Sequence, residues 1–183
     1  IGRRQLPHLP PPLVLGASPR RAQLISEAQA KQDLAKFGVL IPTGVVVASA
    51  AMVERAAAAL GFPVLLKTMG FAHKSEANAV RLNLGNLKEV QRAVSEMPQG
   101  SFLIENMVQG AVLELLLGVV RDPAHGFLLT LAAGGVLTEL LEDSASLLLP
   151  VTAQDVEHAL ESLKIYKILR GFRGRPSGNR AAV

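Results

Sequence analysis

Residues 60–67, LGFPVLLK, end one predicted helix and form the next predicted strand. Gly61 can close the alanine-rich helix before it, because glycine readily adopts the left-handed backbone found at helix C-termini. The apolar run that follows has the length of a buried strand. It ends in Lys67, and burying that ammonium without a partner would cost several kcal/mol. We therefore expect an anion such as a phosphate to meet Lys67; the alternative is a surface lysine.

The segments around residues 60–67 predict further helices and strands in a mixed order. Capping patterns place helix starts after Ser26, Ser49, Asn86 and Thr152, and helix ends near Gly38, Gly61, Met97 and Tyr166. Strands are predicted at TGVVVAS, AVRLNL and SFLIE. LELLLGVV and FLLTLAA, joined by residues 121–126, predict an antiparallel hairpin because Asp-Pro and Gly separate two β-prone runs. Helices and strands in this order indicate an α+β fold.

Composition narrows the class of protein. The chain has 183 residues, 49% of them apolar and 4% aromatic, which suits one domain or one domain of two lobes. It has no cysteine, which excludes disulfides and thiolate metal sites and favours the cytoplasm. No apolar run reaches the ~18 residues of a membrane span, so we expect a soluble protein without membrane contact. With one tyrosine and no tryptophan, we expect no nucleic-acid partner.

The N-terminal segment differs in composition from the rest of the chain. Residues 1–23 are rich in proline and arginine and predict a linker between domains. Much of the net charge of +4 comes from this segment and from RGFRGRPSGNR near the C-terminus. The sequence therefore predicts a linker at 1–23 followed by an ordered domain, and the chain itself as a fragment of something larger.

Three charged or titratable residues in loops and strands are candidates for chemistry. His73 lies in a predicted loop, GFAHKSEANA; it is either solvated or, because a neutral imidazole attacks well near neutral pH, a nucleophile toward phosphorus. Glu105 closes a strand and precedes the polar exit NMVQG, which suits a hinge between lobes. Glu114 lies among leucines in the next predicted strand, where it either faces solvent or binds a ligand hydroxyl.

The segment LAAGGVLTELLED joins paired glycines to three acids. Gly134 and Gly135 would let the backbone approach a phosphate, although paired glycines also mark ordinary turns. Glu139, Glu142 and Asp143 are either Mg²⁺ ligands or a solvated helix face. Of these we regard Glu139 and Asp143 as the candidate metal ligands.

A series of segments, taken in order, carries a resemblance to a known family. They are SEAQAKQDLAKFGVLIPTG, LGFPVLLK, HKSEANAVRLNL, FLIENMV, ELLLGVVRDPAHG, LTLAAGGVLTELLED and LRGFRGRP. Together they resemble the ATP-grasp domain of the NDP-forming acyl-CoA synthetases, which include ADP-forming acetate–CoA ligase and the β-subunit of succinyl-CoA synthetase. The resemblance implies an ATP-grasp fold of two α+β lobes, at 24–104 and 105–183, with nucleotide bound between them and the second lobe incomplete at its C-terminus.

The resemblance also implies roles for individual residues. Lys67 would contact the nucleotide phosphates, together with Gly134 and Gly135, and Glu114 would bind the ribose hydroxyls. The hinge that reads the adenine edge would consist of Glu105 with the backbone of Asn106, Met107 and Val108. His73 would carry a phosphoryl group from a phosphohistidine on the CoA-binding part to ADP.

The implied reaction is acid, CoA and ATP giving acyl-CoA, ADP and phosphate through phosphohistidine. ATP or ADP and Mg²⁺ would be the cofactors, and CoA and the acyl substrate would bind a partner domain or α-type subunit of the same synthetase. We expect the isolated chain to be inactive in the full reaction. Two alternatives remain: a regulatory nucleotide-binding module of a protein lysine acetyltransferase, and an ATP-grasp carboxylate–amine ligase. Fold alone does not separate them.

Overall fold

A computed structural model describes residues 23–70, 78–135 and 138–180, except for the side chain of residue 139. The chain divides into two compact units with their boundary between Gln109 and Gly110. We call the described residues up to Gln109 the N-terminal unit and those from Gly110 onward the C-terminal unit. In the part of the chain that the structure describes, no helix has the length and apolar character needed to cross a membrane.

The N-terminal unit alternates helices with short strands. In chain order its elements are α1 (Glu27–Ala35), β1 (Gly44–Val47), α2 (Ala50–Leu60), β2 (Val64–Thr68), β3 (Val80–Leu84), α3 (Leu87–Glu96) and β4 (Phe102–Asn106). The predicted helix starts at Ser26 and Asn86 are confirmed, because each side chain accepts the backbone N–H three residues later. Ser49 also precedes its helix, but its side chain makes no capping hydrogen bond.

The strands of the N-terminal unit form an antiparallel sheet in the order β1-β4-β2-β3. Successive strand residues point to opposite faces of a sheet. On one face, Val64 and Leu66 of β2 and Phe102 and Ile104 of β4 form a core with buried residues of α2 and α3. The opposite face carries the side chains of Lys67 and Glu105, so α2 and α3 leave this face to other groups.

Helix α1 differs from α2 and α3 in that it has no buried residue. Its Ser26 cap and a hydrogen bond from the Gln29 side chain to Asp33 are local interactions. The helix ends at Ala35, with Lys36 as its C-cap, which is earlier than the predicted end near Gly38. Long-range contacts from α1 to the sheet are made by charged side chains, which are described with the site below.

The C-terminal unit contains a second antiparallel sheet, of order β5-β6-β7. Its elements are β5 (Leu115–Asp122), β6 (Gly126–Ala133), α4 (Thr138–Leu141), β7 (Ser144–Leu148), α5 (Ala153–Ser162) and α6 (Tyr166–Leu169). The predicted hairpin of β5 and β6 is confirmed, with Asp122 opposite Gly126 at its turn. The core of the unit lies between Leu131 of β6 and residues of α5 and α6 such as Leu160 and Leu169.

One prediction about the helices of this unit is wrong in detail. The helix that begins after Thr152 ends at Ser162 and a separate helix begins at Tyr166, whereas one helix to Tyr166 was predicted. The break follows from Asp143, whose two carboxylate oxygens accept the backbone N–H groups of Lys164 and Ile165, each at 2.9 Å. The capping box that starts the first of these helices, between Thr152 and Asp155, is confirmed.

The position of Glu114 and the strand β7 also differ from the sequence analysis. Glu114 directly precedes β5 instead of lying within the strand. Strand β7, SASLL, was not predicted; it pairs with β6 over five residue positions from Ser144 to Leu148. The mixed helix and sheet character expected of an α+β fold is confirmed by both units.

Candidate functional site

Lys67 and Glu105 lie close together on the sheet face that α2 and α3 leave open. In the β2–β4 register, Lys67 is opposite Leu103 and Glu105 is opposite Leu65, so the two charged side chains are diagonal neighbours on the same face. Lys67 Nζ is 3.8 Å from Glu105 Oε2. The Glu105 side chain is only 2% exposed, whereas that of Lys67 is 18% exposed.

Helix α1 completes a group of four charged side chains on this face. Lys31 Nζ donates to both carboxylate oxygens of Glu105, at 2.6 Å each. The same ammonium is 3.0 Å from Glu27 Oε1. Lys67 Nζ donates to Glu27. We call Glu27, Lys31, Lys67 and Glu105 the ion cluster; two ammonium groups and two carboxylates make it neutral at pH 7.

The expected anionic partner of Lys67 is therefore present in this structure as a protein carboxylate. Glu27 is its direct hydrogen-bond acceptor and Glu105 lies within ion-pair distance. This arrangement satisfies the physical requirement that an ammonium at the end of an apolar strand find an anion. A ligand phosphate at Lys67 would have to replace one of these carboxylates.

Electrostatics within the ion cluster favour charged Lys31. Burial of its ammonium lowers the pKa, but hydrogen bonds to Glu105 and Glu27 and the attraction of both carboxylates outweigh burial and raise the pKa of Lys31 above that of a free lysine. The stabilisation that this provides is complete below the ordinary lysine pKa and is lost only as the pH rises through the raised value. Lys31 therefore stays positively charged and paired with the Glu105 carboxylate throughout the physiological pH range.

Sequence reasoning missed Glu27 and Lys31 as members of the site. Their four-residue spacing on a helix predicts a surface ion pair, and that pair is present. The spacing contains no information about which strand the pair contacts. Only the structure shows this connection, because the long-range hydrogen bonds from α1 to the sheet are made by these two charged residues.

The predicted hinge residues follow Glu105 at the end of β4. The N–H of Asn106 donates to Thr43 O at 2.9 Å and that of Met107 donates to Pro63 O at 3.0 Å. Both amides are thus used within the N-terminal unit. Val108 is 59% exposed, and among the described residues its N–H has no backbone acceptor. Of the three backbone N–H groups, that of Val108 is therefore the one that no described backbone carbonyl accepts.

In the C-terminal unit, three of the predicted site residues lie in direct contact. The Gly134 N–H donates to Glu114 O at 2.8 Å. A Cβ added to Gly134 would lie 2.9 Å from the carbonyl carbon of Glu114, and one added to Gly135 would lie 2.3 Å from Glu114 Oε2. Gly135 also has a φ of +63°, which L side chains rarely adopt. The paired glycines therefore let the Glu114 backbone and carboxylate lie directly against residues 134–135.

The candidate metal ligands do not form a metal site among the described residues. Asp143 is 7% exposed, and both its oxygens accept backbone N–H groups within the unit. Glu142, the third acid of the segment, has a positive φ of 45° between α4 and β7. The described residues contain no group of three or more histidine or acidic side chains that could hold a metal ion. Asp143 thus has a clear structural task, and the side chain of Glu139 is outside the described part.

His73, the predicted phosphoryl carrier, lies outside the described residues, as do the other residues of 71–77. Its role stays a prediction.

His125 lies in the hairpin turn, and its ring nitrogen Nδ1 is 2.9 Å from Asp122 Oδ1. Hydrogen bonds from His125 lower the pKa of Asp122, and the one from its backbone N–H has the largest effect. That contact is local to the turn.

A groove of about 780 Å³ lies within the C-terminal unit. Residues of α5 and α6 line it together with Ser177 and Arg180, and Arg180 donates to the hydroxyl of Tyr166 at 2.8 Å. None of the predicted site residues that the structure describes lines this groove.

The sequence and the fold of the chain match a known family. Residues 16–183 match the family model described as ATP-grasp domain, and the chain belongs to that family. The resemblance recognised from the sequence segments is thereby confirmed. The fold expected from it is also confirmed, because solved structures of this fold align with most of the chain.

Relatives of the chain are named as ADP-forming CoA ligases. It is 31% identical to the ADP-forming 4-hydroxybutyrate–CoA ligase of Nitrosopumilus maritimus over 86% of this chain and 24% of that protein. It is 27% identical to the β subunit of ADP-forming acetate–CoA ligase I of Pyrococcus furiosus, over 86% of this chain and 73% of the subunit. The chain thus spans about a quarter of the first relative and most of the second.

A solved structure gives the same assignment. A dinucleotide-forming acetyl-coenzyme A synthetase 1 of Ca. Korarchaeum cryptofilum, in complex with coenzyme A, Ca-AMPCP and HgCl⁺, superposes with a TM-score of 0.74. The two chains are 28% identical, and the match covers 84% of this chain and 72% of the other. The chain is therefore an ATP-grasp domain homologous to the NDP-forming acyl-CoA synthetases.

Proposed function

We propose that this chain is the nucleotide-binding part of an ADP-forming acyl-CoA synthetase, an acid–thiol ligase. The observation that carries the proposal is Lys67: an ammonium on the sheet face that α2 and α3 do not cover, paired with the partly exposed carboxylate of Glu27, in a chain of the ATP-grasp family. ATP-grasp relatives named as ADP-forming CoA ligases support this reaction class. The ligand would be ATP or ADP, with CoA and the acyl group bound by a partner domain or subunit.

The N-terminal unit would bind the phosphates and the adenine. Lys67 supplies a positive charge for the phosphate oxygens, and such contacts contribute more when one partner is partly shielded from water. Val108, an exposed residue three positions after Glu105, would offer its backbone N–H to the edge of the adenine ring. A lysine that neutralises phosphate charge and an amide that orients the base together position the nucleotide, which is most of what phosphoryl transfer requires.

The C-terminal unit would contribute Glu114, Gly134 and Gly135. Glu114 is exposed and its carboxylate lies beside Gly135, so it can accept hydrogen bonds from hydroxyl groups such as those of ribose. The phosphates would approach Gly134 and Gly135 from the side that Glu114 does not occupy, because the Glu114 backbone and carboxylate fill the space where a Cβ would lie. The described residues contain no group of three or more histidine or acidic side chains that could hold Mg²⁺, so we assign the metal to none of the described residues.

His73 would carry the phosphoryl group. A ring nitrogen of neutral imidazole attacks the γ-phosphorus of ATP, the bond from phosphorus to the bridging oxygen breaks, and ADP leaves with that electron pair. The reverse transfer, from phosphohistidine to ADP, reforms ATP. A carrier divides a transfer between distant sites into two short steps.

The proposal is tested with ATP labelled on the γ-phosphate. We expect the purified chain, incubated with labelled ATP and Mg²⁺, to acquire an acid-labile, base-stable label that His73→Ala removes. Lys67→Ala should reduce the label about tenfold or more, since a charge-assisted hydrogen bond contributes ~1.5–3 kcal/mol.

A matched variant makes this experiment specific. His158 is an exposed histidine of α5, and His158→Ala should keep the full label. Label that persists in His73→Ala would contradict the carrier role. Binding of ADP by calorimetry without any label would indicate a binding module without phosphoryl transfer, and no binding of ADP would contradict nucleotide binding itself.

A further inference from the structure

Two lysines of the ion cluster lie near a single buried carboxylate. Lys31 holds both oxygens of Glu105 at 2.6 Å, while Lys67 is 3.8 Å from the same group. Glu105 cannot avoid this competition by moving into solvent, because its side chain is 2% exposed and its strand β4 is paired on both sides. The lysine that pairs with Glu105 is therefore fixed at the sheet by an ion pair to a buried carboxylate.

The two carboxylates of the ion cluster differ in how firmly they can hold a lysine. Glu105 is fixed in a central strand. Glu27 is 27% exposed and lies in the first turn of α1, a helix with no buried residue. An entering anion can therefore displace Glu27 from Lys67 at small cost, but it could not readily displace Glu105.

We propose that Lys31 is a positioning residue for Lys67: by occupying Glu105, it leaves Lys67 paired with the exchangeable Glu27 and so able to bind a nucleotide phosphate. This inference rests on the proposed function, since it takes Lys67 as the phosphate contact. It adds a role for a residue of α1 to which the proposed function assigns no contact with the nucleotide.

The physical argument concerns what Glu105 does without Lys31. A buried carboxylate that loses its partner is strongly unfavourable, so Glu105 attracts any cation in reach. Among the described residues, the other lysine within 4.0 Å of Glu105 is Lys67. Capture of Lys67 by Glu105 would then compete with the phosphate, and nucleotide affinity would fall while contacts to the adenosine portion stayed the same.

The test compares affinities for ADP and for adenosine, which lacks phosphate. In Lys31→Met we expect ADP affinity to fall about tenfold relative to adenosine affinity, because the phosphate must break a partly buried ion pair. Lys31→Arg should keep the parent ratio, since arginine also neutralises a carboxylate. In the double variant Lys31→Met with Glu105→Gln, the buried carboxylate that would capture Lys67 is gone and Lys67 keeps its pair with Glu27, as in the parent, so the ratio should return to that of the parent.

Two further variants keep the experiment decisive. Lys36→Met removes a lysine of the same region that pairs with Asp33 outside the ion cluster, and should leave both affinities unchanged. If Lys31→Met does not fold, Glu105→Gln is compared with the double variant. With a neutral residue at position 105, loss of Lys31 should not change the ratio of ADP to adenosine affinity.

The outcomes separate this inference from the proposed function. A parent ratio in Lys31→Met, or no recovery in the double variant, would overturn the positioning role. Lys67→Met tests the proposed function: a protein that binds ADP equally well with this substitution does not use Lys67 for phosphate. In that case, or if the parent binds no ADP, both proposals fail.

Discussion

Gly44 lies where the sheet of the N-terminal unit tolerates no side chain. It pairs directly with Glu105, and a Cβ at position 44 would lie 2.6 Å from Ile104 O and 2.6 Å from Glu105 Cγ. Ordinary contact begins near 3.4 Å, so β1 and β4 would have to separate by about 1 Å. Because one of the obstructing atoms is backbone, a change of side-chain rotamer cannot relieve the overlap.

The expected cost of Gly44→Ala follows from this overlap. Overpacking in well-packed structure costs ~1–3 kcal/mol. Replacing glycine also restricts the unfolded chain, which returns ~0.4–1 kcal/mol. We therefore expect Gly44→Ala to lower the free energy of unfolding by about 1–2 kcal/mol.

Gly118 is the matched control, because it also lies in a strand but a Cβ there meets nothing within 4 Å. Gly118→Ala should be neutral or stabilise by up to ~1 kcal/mol. Urea unfolding followed by far-UV circular dichroism measures both variants against the parent. A Gly44→Ala protein with the parent midpoint and slope would refute the reasoning, since it would mean that β1 and β4 can separate without loss of stability.

Two further predictions concern carboxylates of the C-terminal unit. In Asp143→Asn, the amide nitrogen faces the N–H group of Lys164 or Ile165 and cannot accept its hydrogen bond. This substitution should lower the free energy of unfolding by ~1–3 kcal/mol, measured by thermal or urea unfolding. A stability equal to that of the parent would contradict the role of Asp143 in binding these two N–H groups. Asp155 has its pKa lowered, chiefly by the hydrogen bond from the Thr152 hydroxyl, so its contribution to stability is present above the ordinary aspartate pKa and is lost as the pH falls below it. The stability difference between parent and Asp155→Asn should therefore shrink as the pH falls from about 6 to about 3, and a difference that is constant over this range would argue against the capping box.

The parts of the fold that the sequence predicted correctly depend on local interactions. Ser26 and Asn86 start their helices because the cap is formed three residues away along the chain. The hairpin of β5 and β6 is closed by its own turn, where the Asp122 carboxylate accepts the N–H groups of Ala124 and His125. Interactions of this range can be read from neighbouring residues alone.

The errors come from interactions between distant residues. The helix after Thr152 stops early because Asp143, about twenty positions earlier in the chain, binds the N–H groups that start the next helix. Strand β7 alternates polar and apolar residues only over 144–147, a run too short to distinguish a strand from a loop, and it is stabilised by its pairing with β6. Neither the contact of Asp143 nor this pairing can be read from neighbouring residues alone.

The same distinction applies to the candidate site. The need of Lys67 for an anion was predicted from its place at the end of an apolar strand, and this need is met. The identity of the partners was not predicted, because it depends on the register of β2 and β4 and on where α1 lies. The roles of His73, Glu114 and the hinge residues stay predictions that the labelling and binding experiments address.

Helix α1 contacts its sheet through charges, and this makes its attachment sensitive to the solution in a way that the rest of the unit is not. The Debye length shortens from ~8 Å at physiological ionic strength to ~3 Å in 1 M salt, so partly exposed pairs such as those of Glu27 weaken as salt is added. The core beneath α2 and α3 consists of apolar side chains, whose burial concentrated salt does not oppose. A higher ionic strength therefore weakens the attachment of α1 to the sheet and leaves the sheet itself intact.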